Sequence, residues 1–189
     1  MRKFRISLLT LASAVCALGA QAAGPEIGTL MERARDLFDY GRWSDARHEF
    51  LRAQAALTPS DRLLAQEVEF YLAACAVELG SADAEGALRE FDERYPGSVY
   101  ANDVRFALGS YYCAAGNMKR AREAFEKTDY KALSVPRREQ YDVRMGYVEF
   151  GDGNYAKAYG YFDRIGSRSE YADHARYYKA YIDYAEGRY

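Results

Sequence analysis

The 189-residue sequence predicts an all-α fold, an α-solenoid of about four antiparallel helix hairpins followed by one extra first helix. A recurring register is the first observation behind this. In "ALGSYYCAAGNMKRAREAF" (107–125), Leu108, Gly109, Tyr112, Gly116, Ala121 and Phe125 fall at offsets 0, 1, 4, 8, 13 and 17. Met145, Gly146, Gly153, Ala158 and Phe162 hold the matching places 0, 1, 8, 13 and 17, and Ala34, Leu37, Gly41, Ala46 and Phe50 hold 1, 4, 8, 13 and 17, with the aromatics Tyr155 and Trp43 both at offset 10. A looser copy keeps Ala73, Gly80, Ala87 and Phe91, with two extra residues between Gly80 and Ala87. The second observation is the spacing of Phe50, Phe91, Phe125 and Phe162, which lie 41, 34 and 37 residues apart. Proline placement is the third: Pro59, Pro96 and Pro136 fall between hairpins and Pro25 precedes the first helix, while no run alternates apolar and polar as a strand would.

Residues 1–22 are set aside as a secretory leader. "MRKFR" carries three positive charges, Ile6–Gly19 is apolar, and "AQA" at Ala20–Ala22 offers the small residues of a cleavage site. An uncleaved anchor needs about 20 apolar residues, more than this run supplies. Lipid attachment at Cys16 is the weaker rival, because Val15 stands where a small residue is expected.

Residues 23–189 then divide into repeats at 27–59, 60–96, 99–133, 136–168 and an incomplete 169–189. Each complete unit reads as an apolar-periodic stretch, a Gly-containing break and a second apolar-periodic stretch. Gly109 and Gly146 are expected to let two backbones approach, with Ala121 and Ala158 opposite and Phe125 and Phe162 filling the wedge between hairpins. Gly116 and Gly153 are expected to end first helices in the left-handed region. Ser98, Tyr100 and Ala101 are echoed by Ser169, Tyr171 and Ala172, which predicts one kind of entry into two first helices. In the last stretch, "YYKAYIDYAEGRY", Ala180 takes the glycine position and Gly187 the helix stop. A repeat broken off there reads as the N-terminal part of a longer protein, with an unusual cap or a dimer contact as the alternatives.

This pattern of Gly, Tyr, Ala and aromatic positions at a period near 34 resembles the tetratricopeptide repeat over essentially the whole mature chain, and the Ser-x-Tyr-Ala entry is similar to that of bacterial envelope repeat proteins. The resemblance implies a right-handed superhelix whose first helices line a concave face. Carried over by register, that face comprises Met31, Arg35 and Phe38; Phe70, Ala74 and Val77; Phe106, Ser110 and Cys113; Val143, Tyr147 and Phe150; and Tyr177, Tyr181 and Tyr184. Its aromatic character suits a protein or peptide ligand; the alternative is that several of these side chains pack between neighbouring first helices. The family's carboxylate clamp is not expected, since its places are held by Glu67, Asp103, Ser110 and Gln140.

The leader takes three of 26 basic residues and none of the 28 acidic ones, leaving a mature charge near −5 that argues against nucleic acid and anionic membrane as partners. His48 is expected at the surface and His174 beside the groove, neither at metal-ligand spacing. Cys75 and Cys113 read as small buried thiols, with a disulfide as the alternative. Asp45/Glu49 and Glu123/Glu126/Lys127 read as solvated helix faces. No catalytic motif, metal site or cofactor is expected. The resulting expectation is an exported scaffold at the periplasm or outer-membrane periphery that binds a protein or peptide, with self-association through the last helix as an alternative contact. Its rival is the N-terminal helical part of a larger periplasmic enzyme of peptidoglycan-cleaving transglycosylase type, whose catalytic domain lies elsewhere.

Overall fold

The computed structural model describes residues 25–188; the expected leader and Tyr189 lie outside the described residues. Among the described residues the chain is all-helical and has no strand. The helices are α1 (Pro25–Asp39), α2 (Trp43–Ala56), α3 (Arg62–Glu78), α4 (Ala84–Arg94), α5 (Ala101–Ala114), α6 (Met118–Glu126), α7 (Val135–Gly151), α8 (Tyr155–Asp163) and α9 (Ala172–Ala185). A short 3-10 turn, Tyr130–Ala132, precedes α7. Packing divides the chain into one compact unit ending at Ala107 and another beginning at Leu108, so the division falls within α5. In the first unit α1 packs on α2, α2 on α3 and α3 on α4; in the second α6 packs on α7, α7 on α8 and α8 on α9.

Connections follow from single residues. Gly116 and Gly153 stand at φ +74° and +76°, conformations that cost an L side chain energy and glycine little. Gly41, Gly80 and Gly187 repeat the device after α1, α3 and α9. The two extra residues before Ala87 lie in the longer connection from α3 to α4, and in α4 it is Leu88, beside half-buried Ala87, that enters the core. Pro136 sits inside the first turn of α7, where its missing N–H has no helical partner to lose. Asn117 caps α6 by accepting from the Arg120 backbone N–H at 3.2 Å.

The echoed entries fold alike. Ser98 Oγ accepts from the Tyr100 N–H at 3.3 Å and Ser169 Oγ from the Tyr171 N–H at 3.2 Å. The Ala101 and Ala172 N–H groups donate to the Ser98 and Ser169 carbonyls, both at 3.1 Å.

Large-on-small packing holds the second unit together. A Cβ built on Gly109 would lie 2.5 Å from the Phe125 ring, and one on Gly146 would lie 2.5 Å from the Phe162 ring, far inside van der Waals contact. Both rings, with Phe50 and Phe91, are fully buried, each contributing about 1.5–3 kcal/mol of burial. Three of the four also meet a tyrosine of the following helix. Phe50 stacks on Tyr71 at 4.7 Å, Phe162 on Tyr178 at 5.2 Å, and Phe125 meets Tyr141 edge-on at 5.2 Å. Phe125 and Phe162 thus each touch the helix before and the helix after, which joins the helices of the second unit into one core.

Gly160 offers the contrast, since a Cβ there meets nothing within 4 Å. Gly146→Val is expected to lose about 1–3 kcal/mol through overpacking against Phe162, whereas Gly160→Ala is expected to gain about 0.5–1 kcal/mol from helix propensity. Thermal unfolding followed by circular dichroism reads both; an unaffected Gly146→Val contradicts the packing account.

Candidate functional site

The register-derived face is distributed between core and surface. Phe38, Phe106 and Val143 are 4%, 2% and 1% exposed and offer almost no area to a ligand. Phe38 instead packs edge-on against Tyr71 at 5.3 Å. Met31, Ala74, Val77 and Ser110 are buried as well. Phe70 is half-buried, stacked on Tyr100 at 4.4 Å and edge-on to Phe91 at 6.2 Å. Arg35 pairs with Glu67 at 2.7 Å, both side chains largely covered, so the acidic residue at one clamp position already holds a guanidinium.

In the second unit the structure gathers the aromatic members. Val143 belongs to a core cluster with Ala158, Phe162, Ala175 and Ile182, against which Tyr147, Phe150, Tyr155, Tyr159 and Tyr178 pack. Tyr178 is the hub. Its ring lies 5.0 Å from Tyr147, 4.8 Å from Phe150 and 5.3 Å from Tyr177. Phe150 reaches Tyr181 at 5.3 Å, edge to face. Tyr147, Phe150 and Tyr181 therefore form a half-exposed aromatic edge along α7 and α9, and Tyr147 Oη lies 3.1 Å from Nδ1 of exposed His174. Farther out, Tyr177, Tyr181 and Tyr184 are 65%, 46% and 75% exposed.

Register alone did not single out Tyr178. The signal that finds it is Ala175, Tyr178 and Ile182, an i, i+3, i+7 set that fixes the inward face of α9.

Burial shapes the chemistry of this region. It raises the Tyr147 phenol to about 12, with neighbouring Tyr178 adding to the shift and Arg144 opposing it. The Cys75 thiol is pushed up to about 12 and Cys113 to about 11, chiefly by desolvation; both are free thiols. Neither has the activated character of a nucleophile.

Several carboxylates are less exposed than their residue type suggests. Glu49, expected on a solvated face beside exposed Asp45, is buried; Arg52 donates to it at 2.8 Å and Arg33 lies at 3.7 Å. Those guanidiniums come from one turn along α2 and from α1; helical spacing in α2 reveals the first and not the second. Glu149 accepts from Asn154 Nδ2 at 2.8 Å and pairs with Arg122 at 3.5 Å, tying α6, α7 and the start of α8. Asp142 accepts from Tyr130 Oη at 2.7 Å and from Arg164 at 3.1 Å. Burial raises its carboxyl despite both partners. His48 is exposed, as are Glu123, Glu126 and Lys127.

No described helix is long and apolar enough to cross a membrane. Comparison with protein-family models, with curated proteins and with solved structures finds no match to this chain. What the fold and the site define is a protein of consecutively packed helices with an aromatic edge on α7 and α9.

The raised phenols carry a stability consequence. Tyr141 and Tyr147 ionise near 12 in the folded chain against an ordinary value of 10.0. Their contribution is complete below the unfolded value and is lost as pH rises through the folded one. Denaturant midpoints are expected to fall between about pH 10 and about pH 12. Tyr147→Phe is expected to fall less steeply across that window, and an identical slope contradicts the assignment.

Proposed function

We propose that residues 23–189 form a tetratricopeptide-type α-solenoid, exported to the periplasm or the outer-membrane periphery, that holds a protein or peptide partner and performs no chemistry of its own. The repeat half of this reading is supported by glycine stops recurring after first helices, by the Gly109–Phe125 and Gly146–Phe162 wedges and by the paired Ser-x-Tyr-Ala turns. Such units each leave one face to be covered by a neighbour, which is the logic of helical repeats.

One observation carries the binding half: the aromatic edge of Tyr147, Phe150 and Tyr181. Tyr147 and Phe150 are half-buried and held by Tyr178, and the more exposed Tyr181 lies against Phe150, so the first two hold their positions before a partner arrives and lose little conformational freedom when covered. Tyrosine and phenylalanine offer large apolar area, and the phenols add a polar end that a backbone group can meet. An apolar helix face or an extended aromatic-anchored peptide fits this chemistry.

In cells producing the exported chain, a photo-crosslinking phenylalanine analogue at Phe150 or Tyr181 is expected to give a discrete adduct with another protein in the periplasmic fraction. The same analogue at exposed Lys119 or Glu123 on α6 is the control. Equal labelling from both places, or none from α7 and α9, overturns the reading.

A further inference from the structure

A histidine borders the aromatic edge. His174, expected beside the groove, is the third residue of α9 and is exposed. It stands one turn before Tyr178 and two turns before Tyr181 on one flank of the helix. Its Nδ1 lies 3.1 Å from Oη of Tyr147, one of the three rings of that edge. Whatever covers the Tyr147 phenol therefore also meets the imidazole. Histidine is the side chain whose charge ordinarily changes between about pH 5 and about pH 8, so a titratable group sits at the rim of a surface built of uncharged rings.

We infer that His174 makes the edge pH-responsive: with the imidazole neutral the surface holds its partner, and with the imidazole protonated it lets the partner go. This rests on the reading of the edge as a partner surface. The hydrogen bond supplies half of the argument. Which imidazole nitrogen carries the proton is set by the bond the other makes. With Nδ1 facing a phenol, the Tyr147 O–H donates to Nδ1, the imidazole proton stays on Nε2, and the free lone pair of Oη is left to a partner. Once Nδ1 is protonated it donates to Oη instead, the phenol O–H turns outward, and Tyr147 offers a donor where it had offered an acceptor. The polar contact a partner makes with Tyr147 in one form is not available in the other. Tyr147 keeps its own proton throughout, because burial raises the phenol to about 12. Only the imidazole titrates in this bond.

The charges around the pair supply the direction. His174 lies in the first turn of α9, the positive end of the helix dipole. On α7 the buried Arg144 already acts on the Tyr147 phenol with a positive charge. The other titratable groups acting on Tyr147 are the phenols of Tyr178 and Tyr171. Of the acids near by, Asp173 pairs with Arg176 in the same turn, Glu139 accepts from Ser169, and Glu170 acts on Tyr171. Covering an imidazolium here takes a charge out of water at the positive end of a helix, which costs more than covering the neutral ring. A partner that closes over Tyr147 therefore favours the neutral form, and acid favours its release.

The test uses the full chain with the photo-crosslinking analogue at Phe150, mixed with periplasmic extract of the producing cells and buffered from about pH 5.5 to about pH 7.5. Adduct yield is expected to fall at least about fivefold from the upper to the lower value. His174→Asn leaves an acceptor for the Tyr147 hydroxyl, takes up no proton in this range and retains His48, and it is expected to lose the dependence. In the free chain labelled with carbon-13 at tyrosine Cζ, the NMR signal of Tyr147 is expected to move as His174 titrates and to stay still in His174→Asn. A Tyr147 signal that ignores the titration overturns the proposal. So does an adduct whose yield ignores pH, or one whose dependence persists in His174→Asn; in these cases the partner reading stands. No adduct at any pH overturns both.

Discussion

A phenyl ring seated on bare backbone sets the distance between α5 and α6 and again between α7 and α8. The constraint is severe, because at 2.5 Å from the ring there is no room for even one methyl group. It also propagates. Phe162 touches Gly146 on one side and stacks on Tyr178 on the other, so the position of α9 follows from how deeply that ring settles against α7. Tyr178 in turn orients Tyr147 and Phe150. The aromatic edge is therefore a consequence of the core, and its geometry is as rigid as the glycine contact beneath it.

The first unit reaches a related arrangement without glycine at the same place. Ala34 and Ala73, the register equivalents, are buried, and Phe50 stacks flat on Tyr71. A methyl group is thus tolerated where the second unit allows none.

Much of the helix pairing is legible in the chain because it rests on local signals. A glycine seven residues after a small residue, then alanine and phenylalanine spaced by a helical turn, carries its meaning within about twenty residues, and the structure places left-handed turns and buried rings at those positions. The face presented by each first helix is less legible. A helix with Tyr177, Tyr178, Tyr181 and Tyr184 is aromatic over most of its circumference, so residue type cannot choose its inward side; Ala175 and Ile182 decide it. Similarly, Phe38 and Phe106 carry the size and polarity of a binding residue, but neighbouring helices cover them. Register transfers a position along the chain and leaves rotation about the helix axis undetermined.

Charged residues show the same limit from the other side. Glu49, which sequence spacing reads as part of a solvated face, is buried, as are Asp142 and Glu149. What draws them inward are guanidiniums from distant positions: Arg33 for Glu49, Arg164 for Asp142 and Arg122 for Glu149. A buried carboxylate without its cation costs several kcal/mol, so each pair constrains the helices that carry it. Apolar packing is tolerant of small rotations, because one methyl contact replaces another at similar energy. An ion pair on a buried carboxylate is not, since a shift of an ångström or two leaves that carboxylate without its cation. Rings on glycine thus set how closely the helices of the second unit approach, and Asp142 and Glu149 with their arginines select the rotation at that distance. The two kinds of contact together make the aromatic edge of α7 and α9 a defined surface.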